Sequence, residues 1–416
     1  LICRQLMNFL ELSKTLYEFQ FGFRKLFSTT HALIEMTDSI RRLIDEGNYV
    51  FSLFIDFTKA FDTVDHDILL YKLSNYGIRG HANNFFRSYL TQRKQFTTIG
   101  GTNSQMSNIS CGVPQGSVLG PVLFLIYIND LYRCVDDCFI RLFADDTGMT
   151  NHDNDFTALI RQAKSKIKNI FKWCNCNKLT INNTKTCFIL FHAVNKKVPA
   201  NLTSIEVDGV VINRVSSSKY LGLIFDEHLN WHEHVDYVCK SLLKYFGIFN
   251  HVRKFLPRKL ARQLYFAFIF SRIKYGLEVY GNCSQNYMNK LQVMQKKLLK
   301  LVLCLDRRFG TDELHASYNI LKVKDVQHVN ILSFVNKCLT GDCPEYFNGY
   351  YTVRESTYNI RNLGLEVKRY RTVTGSLSIA IQGAYLWNDL PDAVKSFRHQ
   401  KNFKKDIVKY FISNYT

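Results

Sequence analysis

The amino-acid sequence predicts an α+β fold in which helices pack on an antiparallel sheet, followed by a helical unit and a mixed C-terminal region. Short apolar runs separated by amphipathic stretches indicate strands alternating with helices. Two strand-like runs flank the acids Asp145 and Asp146, as in a β-hairpin. From residue 231 to residue 305 the pattern changes to long helices without strand-like alternation. A chain of 416 residues exceeds what one core usually organises, so we expect two to four packed units.

The individual elements follow from local patterns. Apolar residues three and four positions apart between Leu33 and Ile44 predict an amphipathic helix that ends at Gly47. The nearly continuous apolar run from Tyr49 to Asp56 predicts a strand buried on both faces. Further helices are expected at residues 66–76, 82–90, 117–131 and 155–173, further strands at 139–144, 147–150, 186–191 and 220–225, and a hairpin or mobile loop at 96–110.

The charge balance indicates a polyanionic partner. Lys and Arg number 54 against 35 Asp and Glu, which gives a net charge of +19 at neutral pH. Nucleic acid is the first candidate, and a solvated basic surface without a partner is the alternative. The apolar run from Val118 to Ile128 is too short for a bilayer span and predicts a buried element, so no membrane partner is expected.

The 12 cysteines are scattered and lack the dense, even spacing of a secreted disulfide scaffold. This favours a reducing compartment. The closest pairs, such as Cys134 with Cys138 and Cys174 with Cys176, have no matching Cys or His pair at zinc-finger spacing. We therefore expect no metal at the cysteines.

Three carboxylates occupy positions where an ionised side chain is costly. Asp56 ends an apolar strand, and Asp145 and Asp146 place like charges side by side. Bound cations would stabilise both arrangements, and two divalent ions suit the attack of a hydroxyl on a phosphoryl group. The alternative is a solvated Asp-Asp turn with a helix cap at Asp56.

Four segments around these acids, in this order, resemble the palm motifs of reverse transcriptases of non-LTR retrotransposons, in the jockey-like group. They are residues 54–66 (FIDFTKAFDTVDH), 112–121 (GVPQGSVLGP), 127–131 (YINDL) and 143–146 (FADD). Residues 20–24 (QFGFR) with 28–31 (STTH) are similar to a fingers motif, and residues 179–186 and 220–222 to the two closing palm motifs. The resemblance extends from about residue 5 to residue 305, and residues 383–391 continue it weakly.

The resemblance implies a right-hand polymerase fold. Partial fingers are expected at residues 1–50, a palm with fingers elements at 51–228, an α-helical thumb at 229–305, and at 306–416 a C-terminal region that binds nucleic acid. The chain is expected to be a fragment that lacks the endonuclease and the start of the fingers.

The resemblance also implies roles for individual residues. Asp56, Asp145 and Asp146 are expected to hold two Mg²⁺ ions, for which Mn²⁺ can substitute. Lys185 is expected near the leaving pyrophosphate, with a surface lysine at a strand edge as the alternative. Phe61 is expected to exclude a ribose 2′-hydroxyl, with a core phenylalanine as the alternative.

Further contacts are implied in the same way. Nucleotide contacts are expected from Phe57, Gln115 and Gly116, although residues 114–116 also read as an ordinary loop-to-helix entry. Template or primer contacts are expected from Arg24, Gly112, Ser117, Arg253 and Lys254, with a solvated arginine as the alternative for Arg24. His31 and His66 are interpreted as structural residues.

The basic residues after the proposed palm are expected to contact phosphates. They cluster at 251–262 and 290–300, beside aromatic residues that we interpret as core: Tyr265, Phe266, Phe268 and Phe270. The C-terminal cations are equally consistent with RNA binding and with a solvated face; they are Lys368, Arg369, Arg371, Arg398, Lys401, Lys404 and Lys405.

The implied function is that of an RNA-directed DNA polymerase that copies element RNA from a DNA 3′ end. Its partners would be an RNA template, a DNA primer or target and deoxynucleoside triphosphates, in a nuclear or cytoplasmic ribonucleoprotein. One alternative is an inactive truncated copy that only binds nucleic acid. The other is an RNA-copying RNA polymerase, which Phe61 disfavours because a polar residue there would suggest ribonucleotide use.

Overall fold

The computed structural model describes residues 1–199, 201–354, 364–396 and 402–415. It divides into two compact units, Leu1–Ala32 with Asn48–Ser216 and Leu33–Gly47 with Ser217–Thr416. The helices are α1 (Ile2–Leu12), α2 (Thr29–Asp45), α3 (His66–Asn75), α4 (Gly80–Leu90), α5 (Leu119–Ile128), α6 (Phe156–Cys176), α7 (His232–Val252), α8 (Arg258–Leu264), α9 (Ser271–Lys274), α10 (Leu277–Tyr280), α11 (Gln285–Val302), α12 (Thr311–Ser317), α13 (Val323–Thr340), α14 (Val373–Ser376), α15 (Ile379–Asp389), α16 (Asp392–Lys395) and α17 (Phe403–Ser413). The strands are β1 (Tyr49–Ile55), β2 (Lys94–Gln95), β3 (Thr98–Ile99), β4 (Thr102–Asn103), β5 (Ser107–Asn108), β6 (Phe139–Phe143), β7 (Asp146–Asp153), β8 (Cys187–Phe191), β9 (Ser204–Val207), β10 (Val210–Arg214), β11 (Ser217–Tyr220) and β12 (Leu223–Asp226).

The first unit is built on a six-stranded sheet with the strand order β6-β7-β1-β8-β10-β9. Its ladders are antiparallel except the one between β8 and β10. Residues 50–55 are all buried in β1, and alternate side chains such as Phe51 and Leu53 enter the hydrophobic core. β6 and β7 form the predicted hairpin, with Asp145 in the turn and Asp146 at the first position of β7. The α+β class and the acidic hairpin are therefore confirmed.

The helices of the first unit begin close to their predicted positions. Asp65 and Asp155 cap α3 and α6, because their carboxylates accept hydrogen bonds from N–H groups of the first turn. In α5, residues 122–128 are all buried, which confirms the predicted buried element. The hairpin or loop predicted at residues 96–110 belongs to two short antiparallel ladders over residues 94–108, β2 with β5 and β3 with β4.

The second unit is mainly helical. The three predicted long helices correspond to α7, to the continuous stretch from α8 to α9, and to α11. The middle stretch contains a π-helical segment, Tyr265–Phe270. The C-terminal region is more helical than its weak periodicity suggested. In α13, apolar residues surround much of the helix and are buried. A helix that is buried on several sides has no continuous polar face, so its sequence shows little of the 3.6-residue hydrophobic period that predicts a helix.

The predicted strand at residues 220–225 is wrong. These residues form the hairpin β11–β12, with the turn at Leu221 and Gly222. Both turn residues have positive φ, +44° and +84°, a conformation that glycine adopts readily. Apolar residues on both sides of the turn gave the appearance of one strand.

The helix predicted at residues 33–47 is present, but these residues lie in the second unit and not with the rest of 1–50. Asp38 Oδ1 accepts a hydrogen bond from the N–H of Ile379 at 2.8 Å, and its Oδ2 accepts one from Ala380 at 2.9 Å. Asp45 Oδ1 accepts one from the N–H of Thr372 at 2.6 Å. Asp38 thus caps α15 from another helix, and Asp45 holds Thr372, whose own hydroxyl caps α14. The division into fingers, palm, thumb and C-terminal region stays a prediction.

None of the helices formed by the described residues combines the length and the apolar character that a bilayer crossing requires.

The second unit should lose stability in mild acid because of His234. Its side chain is 2% exposed and accepts a hydrogen bond from the N–H of Ile224 at Nδ1. Burial, with a smaller effect from the charge of Lys219, lowers the pKa of His234 to about 4 from 6.5. Between these values the unfolded chain binds a proton that the folded chain does not, so stability falls as the pH falls.

We expect His234→Asn to reduce the loss of unfolding free energy between pH 7 and pH 5 by about 2 kcal/mol. Urea unfolding at the two pH values measures this. His251→Asn is the matched control, because His251 is exposed on the same helix. Equal pH dependence in the wild-type and His234→Asn chains would contradict the expectation.

Candidate active site

The strand register brings the three acids to one end of the sheet. In the ladder between β1 and β7, Ile55 lies opposite Thr147. Asp56 directly follows Ile55, and Asp146 directly precedes Thr147, so the next step of the register sets Asp56 beside Asp146. Neighbouring strands lie about 5 Å apart. Asp145 occupies the adjoining hairpin turn.

The electrostatics of the three acids show that they interact. Partial desolvation, then the charges of Asp145 and Asp56, raise the pKa of Asp146 to about 6. Desolvation and, to a smaller extent, the charge of Asp56 also raise the pKa of Asp145. The three carboxylates therefore repel one another when all are ionised, and a cation among them would relieve that repulsion.

Lys185 reaches this group of acids. Its Nζ lies 3.7 Å from Asp56 Oδ2, and both side chains are partly exposed, at 69% and 39%. Lys185 therefore lies beside the acids and just before β8 in the chain. Its ammonium group is available to an anion that binds next to the acids. Such a position agrees with the expected proximity to a charged leaving group.

The three acids offer oxygen donors of the kind that divalent ions prefer. Across the described residues, no three His, Cys, Asp or Glu side chains are already arranged to hold one ion. The carboxylates of the three acids repel one another, and Asp56 contacts Lys185. Both effects keep the three carboxylates from coming together around one point. The donor chemistry itself fits Mg²⁺, because all the donors are carboxylate oxygens, and solvent and substrate phosphates commonly complete its coordination.

The turn of the acidic hairpin is supported by residues 20–22. The N–H of Phe21 donates to the carbonyl oxygen of Leu142 at 2.7 Å. Gln20 is fully buried, and its Oε1 accepts from the N–H groups of Gly22 and Ala144 at 2.9 and 3.2 Å. A Cβ atom at Gly22 would lie 2.6 Å from the backbone nitrogen of Ala144. Sequence reasoning missed this supporting role. The feature that could have indicated it is a glycine between two phenylalanines, because glycine allows another stretch of backbone to approach closely.

The solvated alternative for Arg24 is wrong, because its side chain is mostly buried, whereas its expected contact with template or nucleotide stays a prediction. Its Nε and Nη2 donate to the two carboxylate oxygens of Glu11 at 2.9 and 2.7 Å. Its Nη1 donates to the carbonyl oxygen of Tyr17 at 2.8 Å, and its guanidinium carbon lies 4.0 Å from the ring centre of Phe27. The side chain is only 9% exposed. A bidentate carboxylate contact of this kind makes Arg24 a structural residue.

Gly112 lies against the segment that follows Asp56. It has φ +86°, and a Cβ atom there would lie 2.7 Å from the carbonyl oxygen of Asp62. Its own carbonyl oxygen contacts His66 Nε2 at 2.8 Å, and His66 is buried. The structure thus gives Gly112 a close-packing role, in agreement with the structural interpretation of His66. Its expected template contact stays a prediction.

Residues 115–117 lead into α5. Gln115 Nε2 donates to Asp62 Oδ1 at 2.7 Å at an exposed position. Gly116 has φ +75° with open space around its missing side chain. Ser117 Oγ donates to the carbonyl oxygen of Pro114 at 2.7 Å and accepts from the N–H of Gly120 at 2.9 Å, so it caps the helix entry. Gln115 and Gly116 therefore remain accessible to a ligand.

Phe61 and Phe57 differ in their surroundings. The ring of Phe61 is half-buried and stacks on Phe124, with ring centres 4.3 Å apart and an interplanar angle of 25°. Part of the Phe61 ring remains exposed. In the chain, Phe61 follows Asp56 by five residues. Phe57 is 6% exposed and its side chain lies in the core; its expected nucleotide contact stays a prediction. Strand alternation explains the burial of Phe57, because Asp56 faces outward and the next side chain along an extended backbone points to the opposite side.

In the second unit, Arg253 and Lys254 lie in a short 3-10 turn between α7 and α8. Lys254 is exposed and Arg253 is half-buried. Phe268 is 48% exposed, so its interpretation as a core residue is wrong, whereas Tyr265 is fully buried. The π-helical segment shifts the helical phase, which moves Phe268 away from the core face. Arg398 and Lys401 lie outside the described residues.

All 12 cysteines are free thiols, and all lie within the part of the chain that the structure describes. Burial raises the pKa of the Cys134 and Cys174 thiols to about 12, which keeps them protonated at neutral pH.

More than half of the chain matches a known protein family. Residues 2–225 match the family described as reverse transcriptase (RNA-dependent DNA polymerase). The probable RNA-directed DNA polymerase from transposon BS of Drosophila melanogaster is 26% identical over 344 residues, covering 78% of this chain and 37% of that protein. The RNA-directed DNA polymerase from mobile element jockey of the same organism is 24% identical over 335 residues, covering 78% and 36%. This chain spans little more than a third of the length of these curated relatives.

Among solved structures, apo telomerase from Candida tropicalis, truncated from its C-terminal domain, is 12% identical. The match covers 54% of this chain and 42% of that chain with a TM-score of 0.38. A TM-score this low establishes no common fold.

Proposed function

The chain belongs to the reverse transcriptase family, and on that premise we propose that it is the polymerase part of a non-LTR retrotransposon protein. It copies element RNA into DNA from a DNA 3′ end, with deoxynucleoside triphosphates as substrates. The observation that carries this proposal is the register of β1 and β7, which sets Asp56 beside Asp146. Its family relatives from transposon BS and jockey are named as RNA-directed DNA polymerases.

Asp56, Asp145 and Asp146 hold two divalent metal ions in this proposal, Mg²⁺ or in its place Mn²⁺. When bound, such ions activate the attacking hydroxyl and stabilise the leaving pyrophosphate. The carboxylates supply the oxygen ligands, and the raised pKa values of Asp145 and Asp146 support a need for positive charge at this place. Lys185 adds a cation 3.7 Å from Asp56, where it stabilises the negative charge of the leaving group.

The remaining residues bind and position substrates. In this proposal Gln115 and Gly116, which lie in an exposed turn tied to Asp62, contact the incoming nucleotide. Phe61 selects the sugar. In terms of the right-hand fold, the first unit supplies palm and fingers elements, and α7 to α11 of the second unit form the thumb, where Arg253 and Lys254 contact the phosphates of the primer–template.

A primer-extension assay tests the proposal. The purified chain is incubated with Mg²⁺, four deoxynucleoside triphosphates and a labelled DNA primer on an RNA template. We expect extension to the end of the template, with a product sequence that the template dictates. Binding of the primer–template without extension, in Mg²⁺ and in Mn²⁺, would instead support the inactive nucleic-acid-binding alternative.

Phe61→Val should weaken sugar selection. A smaller side chain opens space beside the stacked ring of Phe124, where a 2′-hydroxyl could enter. We expect the ratio of deoxynucleotide to ribonucleotide incorporation, measured as kcat/KM for each, to fall at least about tenfold. The control is Phe9→Val, at a phenylalanine that is 42% exposed on α1. Unchanged sugar selection in Phe61→Val would remove Phe61 from this role.

A further inference from the structure

The second unit contains a pocket that is separate from the acids. Its cavity has a volume of about 300 Å³ and lies between α2 and residues 346–350 and 368–381. We call it the C-terminal pocket. The side chains that give it its chemical character are three cations and three tyrosines: Arg42, Lys368, Arg369, Tyr346, Tyr350 and Tyr370.

The acids that line the C-terminal pocket are already engaged. Asp38 accepts hydrogen bonds from the N–H groups of Ile379 and Ala380 and from the hydroxyl of Tyr350. Asp45 accepts from the N–H groups of Arg371 and Thr372, at 2.9 and 2.6 Å. The backbone dipoles at the starts of two helices therefore offset these negative charges.

The cations of the pocket are less engaged than its acids, although the charge of Asp38 stabilises the ammonium of Lys368. Within the described residues, the guanidinium groups of Arg42 and Arg369 make no ion pair or hydrogen bond. Partial desolvation lowers the pKa of Lys368, Asp38 opposes this effect, and the positive charge of Arg42 lowers the pKa further. Arg42 and Lys368 are thus close enough to repel each other, an arrangement that a bound anion would stabilise.

The tyrosines add flat aromatic surfaces to this positive charge. Lys368 Nζ lies 5.3 Å from the ring centre of Tyr350. Tyr370 is 42% exposed, so its ring is open to contact. Cations beside accessible aromatic rings are the combination with which proteins hold the phosphates and bases of single-stranded nucleic acid.

We propose that the C-terminal pocket binds one nucleotide unit of single-stranded RNA. Arg42, Lys368 and Arg369 contact the phosphate, and the base stacks on the exposed ring of Tyr370. The site goes beyond the polymerase centre, because its lining residues all belong to the second unit. The choice of RNA over another polyanion rests on the proposed function. The C-terminal region would then hold RNA at a defined point and not only through diffuse charge.

Fluorescence anisotropy of a labelled single-stranded RNA oligonucleotide, titrated with the whole chain, tests this proposal. Arg369→Ala should weaken binding about fivefold at 0.1 M salt and lower the slope of log affinity against log salt by about 0.7. Arg371→Ala is the matched control. Arg371 carries the same charge as Arg369 and lies two residues further along the chain, but it does not line the pocket. We expect this control to stay within about twofold of wild type.

Tyr370→Leu separates stacking from charge. It should weaken RNA binding at least about fivefold without changing the salt slope. Equal effects of Arg369→Ala and Arg371→Ala, or no effect of Tyr370→Leu, would overturn the proposal. Displacement of the RNA by a phosphoserine peptide, but not by unlabelled RNA, would overturn it in favour of a phosphopeptide site.

The polymerase site stays intact in these variants, so primer extension on a short template distinguishes the two proposals. Extension by the wild-type chain with unaltered RNA binding in Arg369→Ala rejects the pocket alone. Absence of extension by the wild-type chain, with weaker RNA binding in Arg369→Ala and Tyr370→Leu, rejects the polymerase proposal alone.

Discussion

Asp145→Asn and Asp146→Asn should each lower the rate of primer extension by at least about 10³-fold. An amide supplies an oxygen of similar shape but no negative charge, so it holds a divalent ion far more weakly. The same substitutions should leave the melting temperature in EDTA unchanged or higher. The reason is that a carboxyl group with a raised pKa in the folded chain destabilises the fold when it is ionised at neutral pH, and asparagine removes that charge.

The chain offers a matched control for this experiment. Asp136 and Asp137 form a second Asp-Asp pair at the other end of β6, and both are exposed. Asp136→Asn should therefore leave both extension and melting temperature near the wild-type values. Wild-type rates of extension in Asp145→Asn or Asp146→Asn would show that the hairpin acids do not take part in the reaction.

Gly22→Ala should also abolish most of the activity, although Gly22 lies outside the acidic group. A Cβ atom at this position would lie 2.6 Å from the backbone nitrogen of Ala144, so the hairpin turn that carries Asp145 must shift. A displacement of about 1 Å at a catalytic group can cost about 10²-fold in rate, and we expect a loss of that size in primer extension. The melting temperature should fall as well, because backbone atoms cannot move aside as a flexible side chain can.

Gly247→Ala is the control for the effect of an added methyl group. Gly247 lies in α7 with nothing within 4 Å of its missing Cβ atom. Alanine there should stabilise the helix by up to about 1 kcal/mol and leave extension unchanged. If Gly22→Ala retained wild-type extension, residues 20–22 would not position the hairpin turn.

The features that sequence reasoning predicted well are local ones. The buried strand β1 and the first strand of the acidic hairpin, β6, follow from mainly apolar runs of seven and five residues, and the paired acids mark the turn after β6. Asp65 and Asp155 mark the starts of α3 and α6 because a carboxylate before a helix satisfies its first N–H groups. In each case the residues that decide the structure are close together in the chain.

The features that it missed depend on partners far away or on the exact backbone path. Asp38 and Asp45 lie seven residues apart on one face of α2, yet the backbone N–H groups that they bind lie more than 320 residues later in the chain. Arg24 has the sequence context of an exposed cation, but Glu11 and Tyr17 surround its side chain in the fold. The burial of Phe57 is the exception, because strand alternation predicts it locally from the outward-facing Asp56.

Mn²⁺ binding, measured by electron paramagnetic resonance, tests most directly whether Asp56 and the hairpin acids form one metal-binding group. The chain is studied in complex with a primer–template and a non-hydrolysable deoxynucleoside triphosphate. We predict two bound ions per chain and an affinity at least about tenfold weaker in Asp56→Asn and in Asp146→Asn, but not in Asp136→Asn. Mn²⁺ binding that is unchanged by Asp56→Asn would contradict the account.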